Sequence, residues 1–407
     1  MALVTRFPKA GLALLGPAFV AAIAYVDPGN VAANVSAGAQ FGFLLVWVIV
    51  VANAMAGLVQ YLSAKLGLVT GRSLPEAVRD HTRTPTRICY WLQAELVAVA
   101  TDLAEVVGGA IALHLLFDLP LLLGGVITGA VSLVLLAIQD RRGQRVFERV
   151  ITGLLLVIAI GFLASLFVNA PPASAVAAGL VPRFDGPESV LLATAMLGAT
   201  VMPHAVYLHS GLARDRHGHP APGTVRARLL RVTRWDVGIA MLVAGAVNMS
   251  MLLVAATNLQ GRADTDSIEG AHAAVRDTLG PVVALFFAIG LLASGLASTS
   301  VGAYAGAMIM QGLLRRSFPL LIRRLVTLIP ALVVLAAGID PSRALVISQV
   351  VLSFGIPFAL IPLVRLTAKP ALMGADTNAR LTTALGWTVA AVITLLNVVL
   401  IYLTFAH

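Results

Sequence analysis

The chain of 407 residues is 59% hydrophobic and only 12% charged, with a mean hydropathy of +0.92. That composition excludes a string of two or three soluble domains and assigns most of the length to membrane spans. The net charge of +9 does not point to nucleic acid, because the basic residues are divided among six segments that one membrane topology places on the same side.

About 20 apolar residues cross the hydrocarbon core as a helix, and that ruler predicts an all-α integral membrane protein with eleven spans. They fall near 11–36, 41–67, 87–116, 121–139, 150–169 and 188–212, then 235–258, 280–313, 321–338, 343–366 and 383–406. With the N-terminus in the cytoplasm and the C-terminus outside, 24 of the 28 basic residues lie on the inner side. The four outer ones are Arg183, Arg262, Arg276 and Arg343. One miscounted span would scramble this positive-inside bias.

The first span contains Asp27-Pro28-Gly29-Asn30 about halfway along. Proline lacks an N–H and clashes with the preceding turn, so the span should break there into two half-helices and free backbone carbonyls at membrane depth. Asp27, ionised and unpaired at that depth, would cost several kcal/mol. A metal ion would offset that cost; a protonated, hydrogen-bonded break residue is the structural alternative. Asn30 offers a neutral carbonyl oxygen, either to a cation or to the freed backbone groups.

The third span carries Glu95, Asp102 and Glu105. Asp102 and Glu105 are three residues apart and share a helix face, and Glu95 lies seven before Asp102 on the same stripe. Acids inside a span are functional by default, although an ion pair with arginine would also explain them. A partly buried carboxyl group is suited to taking up and releasing protons.

The sixth span breaks in the same manner, at Ala199-Thr200-Val201-Met202-Pro203-His204. Met202 would be an ordinary gap-filling side chain elsewhere. Beside a break that repeat symmetry sets against Asp27, its thioether becomes a soft ligand that Ca²⁺ and Mg²⁺ scarcely use, and it weakens their competition with transition metals. Ala199, three residues earlier, would supply an unwound carbonyl. His204 adds a titratable imidazole, or a neutral histidine that supports the turn. Five spans separate the two breaks, as an inverted five-plus-five repeat requires. The first repeat then covers 1–169, the second 170–366, and an additional span 367–407.

The motif pair Asp27-Pro28-Gly29-Asn30 and Met202-Pro203-His204 resembles the signature of the natural resistance-associated macrophage protein (Nramp) family of divalent-metal transporters, in its bacterial manganese/iron type. The resemblance extends over nearly the whole chain, and two motifs in the expected spans are far more specific than a lone Asp-Pro-Gly turn. It implies a LeuT-type fold and proton-coupled uptake of Mn²⁺, Fe²⁺ and similar ions such as Co²⁺ and Cd²⁺. It implies Asp27, Asn30, Met202 and the Ala199 carbonyl as ligands, joined by the Ala24 carbonyl in a closed state, with Gln349 of the tenth span helping to close over the ion. It also implies a proton path from Asp27 through Asp102 and Glu105, with Glu95, Arg323 and Arg324 further along.

Other features carry less. His217-Gly218-His219 reads as a solvated turn, and Asp264, Asp266, Glu269 and Asp277 as a soluble outer loop that could also attract cations. Asn53 and Asn397 suit interhelical bonds or gating contacts. Gly108-Gly109-Ala110 and the small-residue run 302–307 suit helix packing.

Cys89 is the single cysteine and cannot form an intrachain disulfide, no Cys/His spacing suits zinc, and no cleavable signal is evident. None of the three lysines lies in a phosphate-binding GxxxxGK[ST] loop, so uphill transport should draw on an ion gradient or a separate subunit. Neither a resident cofactor nor an obligate protein partner is expected; the partners are the metal ion, protons and the lipid bilayer. Arginine in preference to lysine, with much alanine and glycine, suggests a GC-rich bacterial genome and hence the inner, cytoplasmic membrane.

The expected function is a proton-coupled importer and not an enzyme. A Na⁺-coupled small-solute symporter of the same architecture, a metal-dependent membrane enzyme and a passive metal uniporter are the competing classes. An acid and a thioether at the breaks disfavour an anionic solute. The absence of a nucleophile–base pair disfavours the enzyme. Coupling data alone separate the uniporter.

Overall fold

The computed structural model describes residues 16–142, 144–262, 267–316 and 319–405. Arg6, Lys9, Asp264 and Asp266 lie outside the described residues. Every regular element among those described is helical.

The first span is α1 (Pro17–Ile23), a 3₁₀ turn (Ala24–Val26) and α2 (Pro28–Phe41). Then follow α3 (Val46–Thr70), the short α4 (Leu74–Asp80), α5 (Thr84–Phe117), α6 (Leu121–Arg142) and α7 (Gln144–Val168). A short α8 (Ala173–Ala178) leads to the second broken pair, α9 (Gly186–Thr200) and α10 (Pro203–His217). The remainder is α11 (Thr224–Asn258), α12 (Ile268–Leu279), α13 (Pro281–Leu314), α14 (Leu320–Ala336), α15 (Pro341–Thr367), the single turn α16 (Pro370–Met373) and α17 (Arg380–Phe405).

Among the described residues eight helical stretches are long and apolar enough to cross a membrane, and they fall at the second, third, fifth to eighth, tenth and eleventh expected spans. The other three positions hold shorter helices for local reasons. The first is cut at Asp27, the apolar part of α6 stops at Ala137, and α14 is 17 residues long with Pro330 inside it. α11 begins at Thr224, well before the apolar run. Its basic first turns are held from the side: Arg226 pairs with Asp376 at 2.6 Å, and Arg234 lies 5.0 Å from the Tyr61 ring centroid. An apolar ruler measures hydrocarbon, not helix.

Both breaks are built alike. Asp27 (φ −69°, ψ 167°) and Met202 (φ −69°, ψ 125°) are extended residues, and each is followed by a proline in the first turn of the next half-helix. Proline is pre-set for that position, where its missing N–H would have had no partner. The broken helices lie within a frame in which α13 packs on α5 and α7 while α11 packs on α2 and α3.

Small residues permit these approaches. A Cβ added to Gly108 would collide with Pro28, and one added to Gly109 would lie 2.5 Å from Thr128 Cγ2. The small residues of α13 have a further use. Gly302 leaves room for the Glu105 carboxyl and Gly306 for the Arg323 guanidinium, so this run accommodates charged groups as well as a neighbouring helix.

Candidate metal site and proton relay

Asp27 caps α2. Its Oδ1 accepts the backbone N–H of Asn30 at 2.8 Å and the Asn30 side-chain amide at 2.7 Å. Its Oδ2 faces Gln349 Nε2 at 3.4 Å. The same Asn30 amide donates to the carbonyl of Ala199 at 2.9 Å, and Thr200 Oγ1 lies 3.4 Å from Asn30 Oδ1. One NH₂ group thus sits between a carboxylate and the carbonyl at the end of α9, filling with two donors a point where two acceptors converge. Half a turn of that amide would present Oδ1 there instead, making the point all-oxygen.

The helix ends set the electrostatics. The C-terminal ends of α1 and α9 carry carbonyl dipoles that favour a cation. The N-terminal ends of α2 and α10 oppose it, and the negative charge of Asp27 offsets the first of them. Carbonyls freed in the first break are already committed elsewhere: Asn248 Nδ2 donates to Tyr25 O at 2.7 Å, and Ser294 Oγ to Val26 O at 2.5 Å. Asn34 holds Asn248 in place at 3.0 Å. Ala24 opens the same turn and is buried.

Met202 heads α10, fully buried and three residues beyond Ala199. Asp27, Asn30, Met202 and Gln349 are each 0% exposed, so the site is closed to solvent from both sides. At the arginine-rich end the closure is ionic: Arg216 lies 3.5 Å from Glu148, Glu76 pairs with Arg214, and Asp236 accepts the N–H groups of Gly16 and Ala18 at 3.1 Å each, capping α1 from α11. At the other end it consists of neutral and charge-assisted hydrogen bonds, Asn169 to Asn258 at 2.7 Å and Ser342 to Glu269 at 3.1 Å.

The acids of α5 begin one turn from the metal candidates. Pro28 abuts Gly108, and Glu105 lies three residues before Gly108 on α5. Both Glu105 oxygens are buried without a hydrogen-bond partner among the described residues. Asp102, one turn further, pairs with Arg324 at 2.5 Å. Arg324 also donates to Ser132 Oγ at 3.0 Å and to Thr299. Arg323 forks onto Glu95 at 2.8 and 3.0 Å. Adjacent arginines therefore serve two acids seven residues apart. Asp102 and Glu95 thus take the ion-pair alternative, while Glu105 has no ion pair among the described residues. His204 Nδ1 lies 3.4 Å from Thr101 Oγ1, and its buried Nε2 has no partner among the described residues.

Several site residues were not anticipated from sequence. Thr200, Asn248 and Ser294 hold the breaks, and a chain runs from Tyr25 through Gln60 to His209, whose Nδ1 lies 2.7 Å from Gln60 Oε1. Their one sequence signal is a polar side chain inside an apolar span. Asn397 bonds Ser353 O at 2.9 Å between α17 and α15, as an interhelical amide should, whereas Asn53 packs on Gly245. His219 bonds the carbonyl of Leu68 at 3.1 Å, fastening its turn to α3 where a freely solvated turn was expected.

Residues 18–403 match the family model described as natural resistance-associated macrophage protein-like. The divalent metal cation transporter MntH of Mycobacterium tuberculosis is 74% identical over 391 residues, covering 96% of this chain and 91% of that one. Among solved structures, the Eremococcus coleocola manganese transporter superposes with a TM-score of 0.86 at 32% identity, covering 97% of this chain and 88% of that one. MhsT, solved in complex with L-phenylalanine, shares the fold at a TM-score of 0.59 and 13% identity, covering 95% of this chain and 97% of that one.

Proposed function

Because the chain belongs to the Nramp family of membrane transporters, we propose that it imports divalent transition metals, Mn²⁺ and Fe²⁺ first among them, across the bacterial cytoplasmic membrane together with protons. The observation that carries this reading is the convergence of Asp27, Asn30 and the Ala199 carbonyl at two helix breaks, wholly buried, with the Met202 thioether at the head of the second.

The ion enters from outside and gives up most of its water to this set. Asn30 turns its oxygen inward as the ion arrives, freeing the Ala199 carbonyl, while Gln349 and the Ala24 carbonyl complete the enclosure. Asp27 supplies the one formal negative charge. Met202 admits Mn²⁺, Fe²⁺, Co²⁺ and Cd²⁺ and disfavours Ca²⁺ and Mg²⁺, which take oxygen ligands. Release to the cytoplasm follows when α1 and α10 tilt and break the ionic closure at the arginine-rich end.

Protons take a separate route along α5. Asp27 releases a proton when the metal binds, Glu105 accepts it with no ion pair of its own among the described residues, and Asp102 beside Arg324 lies next in line. Glu95 and Arg323 continue the line, and His204 adds a titratable group beside Asp102. Eleven crossings, with the N-terminus inside and an inverted repeat of five, agree with the placement of the basic residues and with the matched construction of the two breaks. A carrier for an organic anion is disfavoured, since Asp27 would repel it.

Metal uptake into proteoliposomes loaded with a pH dye tests both halves at once. Mn²⁺ entry accompanied by acidification of the lumen is the expected result. Entry without proton movement would reduce the protein to a uniporter, and entry of an organic solute without metal would remove the proposal.

A further inference from the structure

A groove at the arginine-rich end of the bundle lies between the α4–α5 hairpin and the last turns of α15. Val78, Ile361, Pro362 and Leu366 give it an apolar floor, and Arg365 and Lys369 stand at its rim with Tyr90. Both cations are exposed and have no ion pair among the described residues. The acids of α4 are already taken, Asp80 by Arg72 and Arg79 and Glu76 by Arg214. Polar groups on the opposite wall are spent on their own helix: His81 Nδ1 lies 2.9 Å from the Ala77 carbonyl, and Thr82 Oγ1 bonds Val78 O at 2.7 Å.

Two uncompensated cations over an apolar floor, where a span meets the membrane surface, match a molecule with a phosphodiester at one end and hydrocarbon at the other. We infer that this groove binds an anionic phospholipid, its phosphate on Arg365 and Lys369 and an acyl chain on Ile361, Pro362 and Val78. A soluble phosphate shares the headgroup chemistry but has no use for the floor. The site has a mechanical consequence. α15 carries Gln349 against Asp27, so a lipid bracing the far end of α15 steadies the helix that closes over the metal. The inference takes from the proposed orientation only the leaflet, which becomes the cytoplasmic one.

Native mass spectrometry of the detergent-purified full chain with dioleoyl phosphatidylglycerol, dioleoyl phosphatidylcholine or inorganic phosphate tests it without a membrane orientation. Retention of phosphatidylglycerol about tenfold or more above phosphatidylcholine is expected. The R365Q/K369Q variant should lose that preference, while R228Q/R231Q, exposed arginines on α11, should keep it. Circular dichroism of each variant verifies folding, and Mn²⁺ binding on the same samples reads the metal site independently. Equal retention of the two lipids, or equal loss in both variants, would overturn the inference. Displacement of the lipid by equimolar inorganic phosphate would make this a soluble-anion site and overturn it as well.

Discussion

The side-chain amide of Asn30 reaches the carbonyl of Ala199 at 2.9 Å across 169 residues of sequence. That bond ties the first helix break to the second, and through the 2.7 Å bond to Asp27 it places a carboxylate in the same group. The two breaks therefore form one site, held by hydrogen bonds that a cation can replace.

Asp27→Ala removes the single formal charge of that site. Outer-shell changes at metal sites cost about 10–100-fold, so loss of this ligand should depress Mn²⁺ uptake by at least that much, with the chain still folded. Radiolabelled or dye-reported uptake measures it. More than half of the wild-type rate would move the site elsewhere.

The acids of α5 separate proton from metal. Asp102→Asn with Glu105→Gln keeps size and hydrogen bonding while removing titration. Mn²⁺ affinity by calorimetry should persist, while proton entry, or the dependence of uptake on pH and voltage, should be lost; each charge crossing the field is worth about 2.3 kcal/mol per 100 mV. Unchanged proton entry would leave these acids as structural partners of the arginines.

Sequence and structure part company at identifiable points. Both breaks were legible because each proline stands directly beside polar or candidate ligand residues in an apolar run, where it starts a new half-helix, whereas Pro330, Pro357 and Pro362 stay inside their helices. The α5 stripe was legible because helical spacing is fixed. The partner of each arginine was not: Arg323 and Arg324 are neighbours, and only packing sends one to Glu95 and the other to Asp102. Asn248, Ser294 and the Tyr25–Gln60–His209 chain are single polar side chains whose partners lie on other helices. Gly302 and Gly306 read as packing residues because a sequence shows a missing side chain, not what fills its place.

The contact between Gly108 and Pro28 gives a steric prediction. Gly108→Ala places a methyl group against the proline beside Asp27, and overpacking of a close contact costs about 1–3 kcal/mol. Thermal unfolding should fall accordingly and metal affinity should drop with it, because the shift is transmitted to Asp27. A variant of wild-type stability and affinity would show that α5 does not constrain the break.

Glu76 yields a pH prediction outside the spans. Burial pushes its carboxyl up, but the Ser73 backbone N–H at 2.7 Å and the Arg214 guanidinium outweigh burial and hold it below the ordinary range. A depressed pKa contributes stability above the unfolded value that is lost only as the pH falls through the folded one. The α4 latch should therefore stay shut from neutral pH down to about pH 5. Hydrogen exchange in residues 74–80, corrected for intrinsic rate, should be flat over that range and faster in Glu76→Gln. Opening of the wild-type latch by pH 5 would contradict the assignment.

A thioether ligand from Met202 would distinguish this site from any all-oxygen cation site. Met202→Ala should weaken Cd²⁺ binding more than Mn²⁺ binding and let Ca²⁺ compete. X-ray absorption of bound Cd²⁺, in a Cys89→Ser background that removes the exposed thiol, reads the ligand itself. One sulfur scatterer among oxygens is expected, absent once Met202 is replaced by alanine. An all-oxygen shell, or a sulfur signal that survives the replacement, would contradict ligation by Met202.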